Sequence, residues 1–481
     1  MKNNKTTLFI YFFFSTALHS IGQTNQSLSL DDCIRLAISK NNNLKRSNLE
    51  IQKNAIYHQQ AQSSIYPNVN ANFAPILNLG RSLDPYSNQF IDRNIFSTNL
   101  SISSSMTLFN GFQIRNAINQ TEINQEISSL SYESTKNKLI MDIYQAYLRI
   151  LLTKEGIKLG QKQVKMLNEQ IEIVKAQISA NVLTDLDLLN ITTQLSLDEL
   201  NILNAQNDLN LAFANLKQLL FLPNANLIDV KDIDLKFMEN YGQEGVQSIF
   251  GRILRIHPDV KMTSLREEII EQNIEQIKYL KYPIIGISIG LNSIYSSASP
   301  KEIFTSDGKK PFTIFKEGEQ YVKINGKNEK VWEPINIPSG KYESFGFLKQ
   351  LDLNKFFVIG LNVRMPIFNG FQQKYKLILA EIDRKAIDLE KQNTMIQLQN
   401  AVEQMVEKIN LSKRKYQILT QKLVTTKTNF SVVSEKFKLG YATSNDYLNA
   451  KNALERMESE LFQTQLEVFF NEKLVDLYGF R

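Results

Sequence analysis

The stretch Phe109-Asn110-Gly111-Phe112-Gln113 returns unchanged as Phe368-Asn369-Gly370-Phe371-Gln372, 259 positions further along a chain of 481 residues. Five consecutive identities are hard to reach by accident. The same spacing then holds without a gap, placing Glu122 on Glu381, Leu130 on Leu389, Thr184 on Thr443, Asp187 on Asp446, Asn190 on Asn449 and Leu195 on Leu454. A fixed long period of this kind marks a duplicated unit. Upstream, Tyr66-Pro67 matches Tyr282-Pro283 and Leu49 matches Leu265 at a spacing of 216, so the second copy holds 43 extra residues between Pro283 and Phe368. The first repeat is assigned to 23–228 and the second to 229–481, and the extra length falls in a polar insertion at 296–355.

Each copy begins with a short helix (Ser29 to Ser39; Val246 to Arg255), then a turn, then a helix that stops at Tyr-Pro, where proline cannot continue it. Beyond it the pattern alternates. Val69, Ala71 and Phe73 interleave with Asn68, Asn70 and Asn72, and Leu100, Ile102, Met106 and Leu108 interleave with serines and Thr107. The second copy sets Ile285, Ile287, Ile289 and Leu291 against Gly286, Ser288, Gly290 and Asn292. Period-two alternation predicts strands at about 68–80, 97–109, 284–295 and 356–368, each with one apolar and one small polar face. Such faces suit a lipid-embedded, water-filled barrel, and also an ordinary soluble sandwich. Four strands cannot close a barrel of useful bore, and closure between copies would remove the open edges.

After each Phe-Asn-Gly-Phe the period becomes helical. Ile143, Tyr147, Ile150, Ile157, Val164, Leu167, Ile171 and Val174 follow spacings of three, four and seven, and Val402, Val406, Ile409, Tyr416, Leu423, Phe430 and Phe437 lie on the matching seam. These arms are read as helical hairpins over 112–221 and 371–477, each with a long arm on the order of 100 Å at ~1.5 Å per residue. The arms reverse at Asn181 and Gly440, the residue types that best tolerate left-handed backbone.

Composition narrows the function. Lys2, Lys5, the apolar run Leu8–Phe14 and the small residues Ser20 and Gly22 read as an export signal over 1–22. No later segment offers the ~20 apolar residues of a spanning helix. The formal charge of +6 is spread through the chain, with no basic patch for nucleic acid. Apart from the histidine in the signal, only His58 and His257 are present, and no C-x-x-C, H-E-x-x-H or phosphate-binding glycine loop occurs, so no catalytic, cofactor or metal site is expected and the chain is not read as an enzyme. The lone cysteine, Cys33, is read as a small buried apolar residue.

The paired Tyr-Pro strand entries, the paired Phe-Asn-Gly-Phe exits and the sequence Leu439-Gly440-Tyr441-Ala442-Thr443-Ser444-Asn445-Asp446 resemble the TolC family of outer-membrane factors over essentially the whole mature chain. The family's tip pattern, G-x-x-T-x-x-D-x-x-x-A, falls on Gly440, Thr443, Asp446 and Ala450. The resemblance implies a mainly α fold with membrane β: a homotrimer in the bacterial outer membrane, four strands per chain in a 12-stranded barrel, continued by a periplasmic α-barrel of coiled-coil hairpins. It implies a passive duct for tripartite efflux or type I secretion. Its partners would be outer-membrane lipid, a periplasmic adaptor and an inner-membrane pump of RND or ABC type. The adaptor would contact Asn181, Val182, Leu183, Thr184, Leu439, Gly440, Tyr441 and Thr443. Asp446, Asn449 and Asp187 would ring the tunnel entrance, although Asn449 is uncharged where well-studied members carry an acid, and Asp446 could equally cap its own helix. The 296–355 loop would face outside the cell, with Asn325-Gly326 at a hairpin turn and Trp332 packed in the loop or touching a partner. The alternative is a periplasmic coiled-coil adaptor or structural protein without a pore, which leaves the four alternating strands unexplained.

Overall fold

The computed structural model describes residues 26–223, 227–233 and 246–477, and the export signal at 1–22 lies outside them. The first half runs β1 (Gln26–Leu28), α1 (Leu30–Lys40), α2 (Asn42–Ser63), β2 (Asn68–Asn78), β3 (Arg81–Leu83), β4 (Phe90–Asp92), β5 (Ile95–Asn110), α3 (Gln113–Ser179), α4 (Asp185–Leu219) and β6 (Ile228–Val230). The second runs α5 (Val246–Ile256), α6 (Pro258–Tyr279), β7 (Ile284–Ser296), β8 (Glu302–Ser306), β9 (Phe312–Ile324), β10 (Lys327–Ile337), β11 (Gly340–Ser344), α7 (Phe347–Leu353), β12 (Phe356–Arg364), α8 (Gln372–Lys438) and α9 (Ser444–Leu477). The principal helices have 11, 22, 67 and 35 residues in the first half and 11, 22, 67 and 34 in the second.

The described residues pack as two units, each drawing on both halves. One holds the residues up to Ala55, Ile123–Ile269 and those from Arg384 onward; the other holds Ile56–Glu122 and Ile270–Asp383. In the helical unit, Ile143, Tyr147 and Ile150 of the α3 seam are fully buried in a core with Cys33, Leu216 and Phe470. Burial pushes the Cys33 thiol up to about 12, which makes it packing rather than a reactive group. The Tyr147 hydroxyl lies 2.6 Å from the Lys231 carbonyl and 3.1 Å from that of Leu28, and so pins the short parallel pair β1–β6 to α3. Ser29 starts α1 with a reciprocal cap: its Oγ accepts from the Asp32 N–H, while its own N–H donates to the Asp32 carboxylate.

In the strand unit, β12, β7, β5 and β2 form one antiparallel sheet in that order. β12 stops at Arg364 rather than near Phe368 as the alternation suggested, whereas its counterpart β5 runs on to Asn110. Pro366 has no N–H to give to a ladder, which accounts for the early end. The insertion is not a plain loop: it folds into two antiparallel pairs, β9–β10 and β8–β11, and the one helix α7. Asn325 (φ 51°) and Gly326 (φ 85°) form the tight turn between β9 and β10, as a two-residue hairpin with right-handed strand twist requires. Trp332 is 58% exposed on β10, opposite Glu317 of β9.

Candidate functional site

The sheet sorts its side chains by face. The register places Ala71 beside Ile102, Leu291 and Phe357, and Val69 beside Ser104, Ile289 and Ile359, all on one side. The other side carries Asn72, Ser101 and Asn292 in one row and Asn70, Ser103 and Gly290 in the next, and on β12 these rows end on the apolar Phe356 and Val358. Phe357 and Ile359 are 73% and 74% exposed, so the apolar face is open along β12. An apolar face open on one side and a serine–asparagine face on the other is the division a membrane pore wall needs. Among the described residues the outer edges of β2 and β12 pair with nothing. Only one strand residue of this sheet is charged, Arg364 at the end of β12.

At both strand exits the chain turns through two consecutive left-handed residues, Gly111 and Phe112 (φ 64° and 62°) and Gly370 and Phe371 (φ 62° and 61°). The paired phenylalanines meet edge to face with centroids 5.3 Å apart at Phe109–Phe112 and 5.4 Å at Phe368–Phe371. Two phenylalanines therefore lock each reversal from strand to helix, which explains why the motif needs aromatics on both sides of Asn-Gly.

The hairpin tips are likewise built on one plan. Asn181 (φ 55°) and Gly440 (φ 77°) take the left-handed conformation, and the next N–H closes the helix end, Val182 to the Gln177 carbonyl at 2.9 Å and Tyr441 to the Lys436 carbonyl at 2.8 Å. Asn181 thus takes the same left-handed position at its tip as Gly440 does at the other. The returning helices start with a shared cap: Thr184 N–H and Oγ1 donate to Asp187 Oδ2 at 3.1 and 2.8 Å, and Thr443 N–H and Oγ1 donate to Asp446 Oδ2 at 3.0 and 2.7 Å. The side-chain and backbone bonds from Thr443 hold the Asp446 carboxyl below its ordinary range. For Asp187 burial pulls upward, but the bonds from Ser444 and Thr184 outweigh it and leave this carboxyl lowered too. Ser444 Oγ donates to Asp187 Oδ1 at 2.6 Å and Gln177 Nε2 to the Lys438 carbonyl at 2.8 Å, which ties one tip to the other. Of the two sequence readings of Asp446, the helix-capping contact is present. Asn449 is exposed beside it, and Val182, Leu439 and Tyr441 are 53%, 64% and 82% exposed at the turns. Leu183 is half-buried against the tip core of Leu167, Ile171, Val174, Phe437 and Tyr447.

Periodicity did not disclose a buried charge cluster in the helical unit. Lys451 is 1% exposed, with its Nζ 2.9 Å from Asp198 Oδ2 and 2.5 Å from Glu455 Oε1, and Gln194 Nε2 donates to Asp198 Oδ1 at 2.7 Å. Burial pushes the Glu455 carboxyl up, against the opposing pull of Lys451. The signal was present: Lys451 follows Tyr447 by four and precedes Leu454 by three, the seam positions of α9, and Asp198 follows Ile191 by seven and Leu195 by three on the seam of α4. Removing one partner of a buried ion pair leaves the other charge uncompensated, at a cost of about 3–5 kcal/mol. Lys451→Met is accordingly expected to lower the unfolding temperature of the purified protein at pH 7. Burial raises the Glu455 carboxyl in the folded state, which therefore binds a proton ahead of the unfolded chain, and the deficit should shrink as the pH falls toward 5. Thermal melts at both pH values would show it; a deficit independent of pH would point to lost packing instead.

These features define a channel wall joined to helical hairpins. The chain belongs to the outer membrane efflux protein family, whose model matches residues 33–220 and 349–471. No curated protein sequence matches it. Among solved structures it is similar to the outer membrane protein VceC of Vibrio cholerae, at 13% identity over 94% of this chain and 96% of that one, with a TM-score of 0.74. It is similar also to the Campylobacter jejuni outer membrane channel CmeC (15% identity, 94% and 85% covered, TM-score 0.69) and to the open state of the Neisseria gonorrhoeae outer membrane channel MtrE (15%, 99% and 96%, TM-score 0.65). It is an outer-membrane efflux channel with the fold of these proteins, and among the described residues no helix is long and apolar enough to cross a membrane.

Proposed function

We propose that three copies of this chain close their four-stranded sheets into one outer-membrane barrel and their helical hairpins into a periplasmic wall, forming a passive duct for tripartite efflux or type I secretion. The observation that supports the reading is the four-stranded sheet itself, with serine–asparagine rows across β2, β5 and β7 on one face, apolar rows open along β12 on the other, and both edges unpaired. A closed ring of sheets would satisfy those edges and turn the serine–asparagine rows toward water. The helices support the same reading. α4 exposes Leu186, Leu189, Leu200 and Leu203, and α8 exposes Leu411, Ile418 and Val424, which are apolar stripes suited to burial against neighbouring copies.

At the tips, Val182, Leu439 and Tyr441 offer exposed apolar contacts to an adaptor, with Asn181, Leu183, Thr184, Gly440 and Thr443 setting the shape of the two turns. Thr443 engages only Oδ2 of Asp446, so the second carboxylate oxygen faces away from the cap. Three such carboxylates, with Asn449 beside them and Asp187 fixed behind, would make an electronegative entrance that favours cations. Transport energy would come from an inner-membrane pump of RND or ABC type. Opening would be a change in tip packing that adaptor binding favours through tighter contact with the open form. The test is the mass of the native complex extracted in mild detergent. Three copies are expected, and a monomer that stays soluble without detergent would overturn the reading in favour of a poreless envelope protein.

A further inference from the structure

The insertion that lengthens the second copy places α7 on the apolar side of the sheet. β7 alternates, so Ser293 and Tyr295 share the face of Ile287, Ile289 and Leu291. Both lie under α7: Ser293 Oγ donates to the Leu351 carbonyl at 2.6 Å, and the Tyr295 ring stands edge to face with Phe347 at 5.0 Å. Thr98, which pairs with Tyr295, is 2% exposed at the same place. Three further bonds fix the helix. The Ser296 N–H donates to Gln350 Oε1 at 3.0 Å, Gln350 Nε2 to the Phe345 carbonyl at 3.0 Å, and Asn354 Nδ2 to the Ile294 carbonyl at 2.8 Å. A helix held this firmly and bathed in water would turn polar groups outward. Instead Phe347, Leu348 and Leu353 are uncovered, Leu348 by 78%.

We propose that α7 is a collar seated in the outer-leaflet lipid where acyl chains meet headgroups, and that it fixes the depth of the barrel in the membrane. The proposal rests on reading the sheet as a membrane wall. Two observations choose lipid over a second copy of the chain. α7 stands over β7, an inner strand, whereas a neighbouring copy must approach at the β2 or β12 edge. The exposed side of α7 also continues the apolar rows of β7 at the end away from α6, with Tyr295 and Phe347 meeting edge to face at the boundary, where amphipathic aromatics accumulate. Lys349 and Lys355 flank the apolar residues and carry their charge 3.2 Å from Glu343 and 2.7 Å from Asp352, which keeps this rim polar.

Trp332 is the single tryptophan, so Trp332→Phe gives a silent background. Into it, Leu348→Trp and, separately, Ile359→Trp are introduced, and the assembled protein is reconstituted in phosphatidylcholine brominated near the carbonyl end or near the methyl end of its acyl chains. The tryptophan at 348 is expected to lose most of its fluorescence to the shallow bromines and little to the deep ones, while that at 359 is quenched by the deep bromines. Quenching at 359 but none at 348 by either lipid overturns the collar and leaves the barrel standing. No quenching at either position overturns both. Should Leu348→Trp fail to assemble, Phe347→Trp carries the same expectation.

Discussion

Cysteines introduced together as Asn362→Cys and Ala74→Cys, with Cys33→Ser to remove the native thiol, are expected to join neighbouring copies into covalent dimers and trimers that collapse to monomer on reduction. The register follows from the repeat. Asn68 pairs with Ser105, and their counterparts in the second copy, Ile284 and Arg364, pair with each other, so the two hairpins obey the same spacings as the sequence. The chain supplies three ladders, and in the proposed ring a further one would join β12 to β2 of the next copy as the counterpart of β5–β7. Since Ser103 faces Gly290 within the chain, Asn362 should face Ala74 across copies. A one-residue slip would put the side chains on opposite faces, so Asn362→Cys with Phe73→Cys should give no ladder. The strand exits argue the same way. Phe112 meets Tyr279 and Tyr282 at 5.5 and 6.4 Å, and a Cβ on Gly111 would lie 2.8 Å from the Tyr279 carbonyl. The counterparts Phe371 and Tyr66 are 59% and 72% exposed, and nothing lies within 4 Å of Gly370, as one half of a contact would look before its partner arrives. Equal cross-linking from both cysteine pairs would contradict the register.

Gly440→Pro is expected to abolish efflux while leaving assembled complexes in the membrane. Proline holds φ near about −65°, whereas Gly440 sits at φ 77°, and the substitution also removes the N–H that donates to the Phe437 carbonyl at 3.1 Å. A Cβ there would lie 2.8 Å from Val182 Cγ1, so the damage reaches the other tip as well. Drug susceptibility should rise to that of a deletion strain while the extracted complex keeps its size. Asn181→Gly, which the φ of 55° accommodates without strain, should behave as wild type. Unchanged resistance in Gly440→Pro would remove the tips from the coupling mechanism.

What the sequence disclosed depended on range. Alternation and heptads act over a few residues, so the strands, the long arms and the two reversals at Asn181 and Gly440 were legible from the chain alone. The repeat supplied the long-range pairing, because two copies of one hairpin must share one register. Features peculiar to one copy were hidden. At the places matching Lys451, Asp198 and Glu455 the other copy has Thr192, Met457 and Ser196, so no repeat could reveal the buried charges. The insertion was opaque for a similar reason. Both faces of its hairpin are exposed, so burial imposed no alternation on its strands. At the tips the residues were identified by pattern, but the direction of the Asp446 carboxylate depends on the Thr443 hydroxyl, a choice of rotamer that spacing does not encode.

The central claim is that this chain is one part of a water-filled duct completed by its own copies. Single-channel recording of the purified complex in planar lipid bilayers tests it most directly. Stable ohmic conductance steps are expected from the assembled complex, and none when copies are held apart as monomers. Well-folded, assembled protein that inserts without conducting would contradict it.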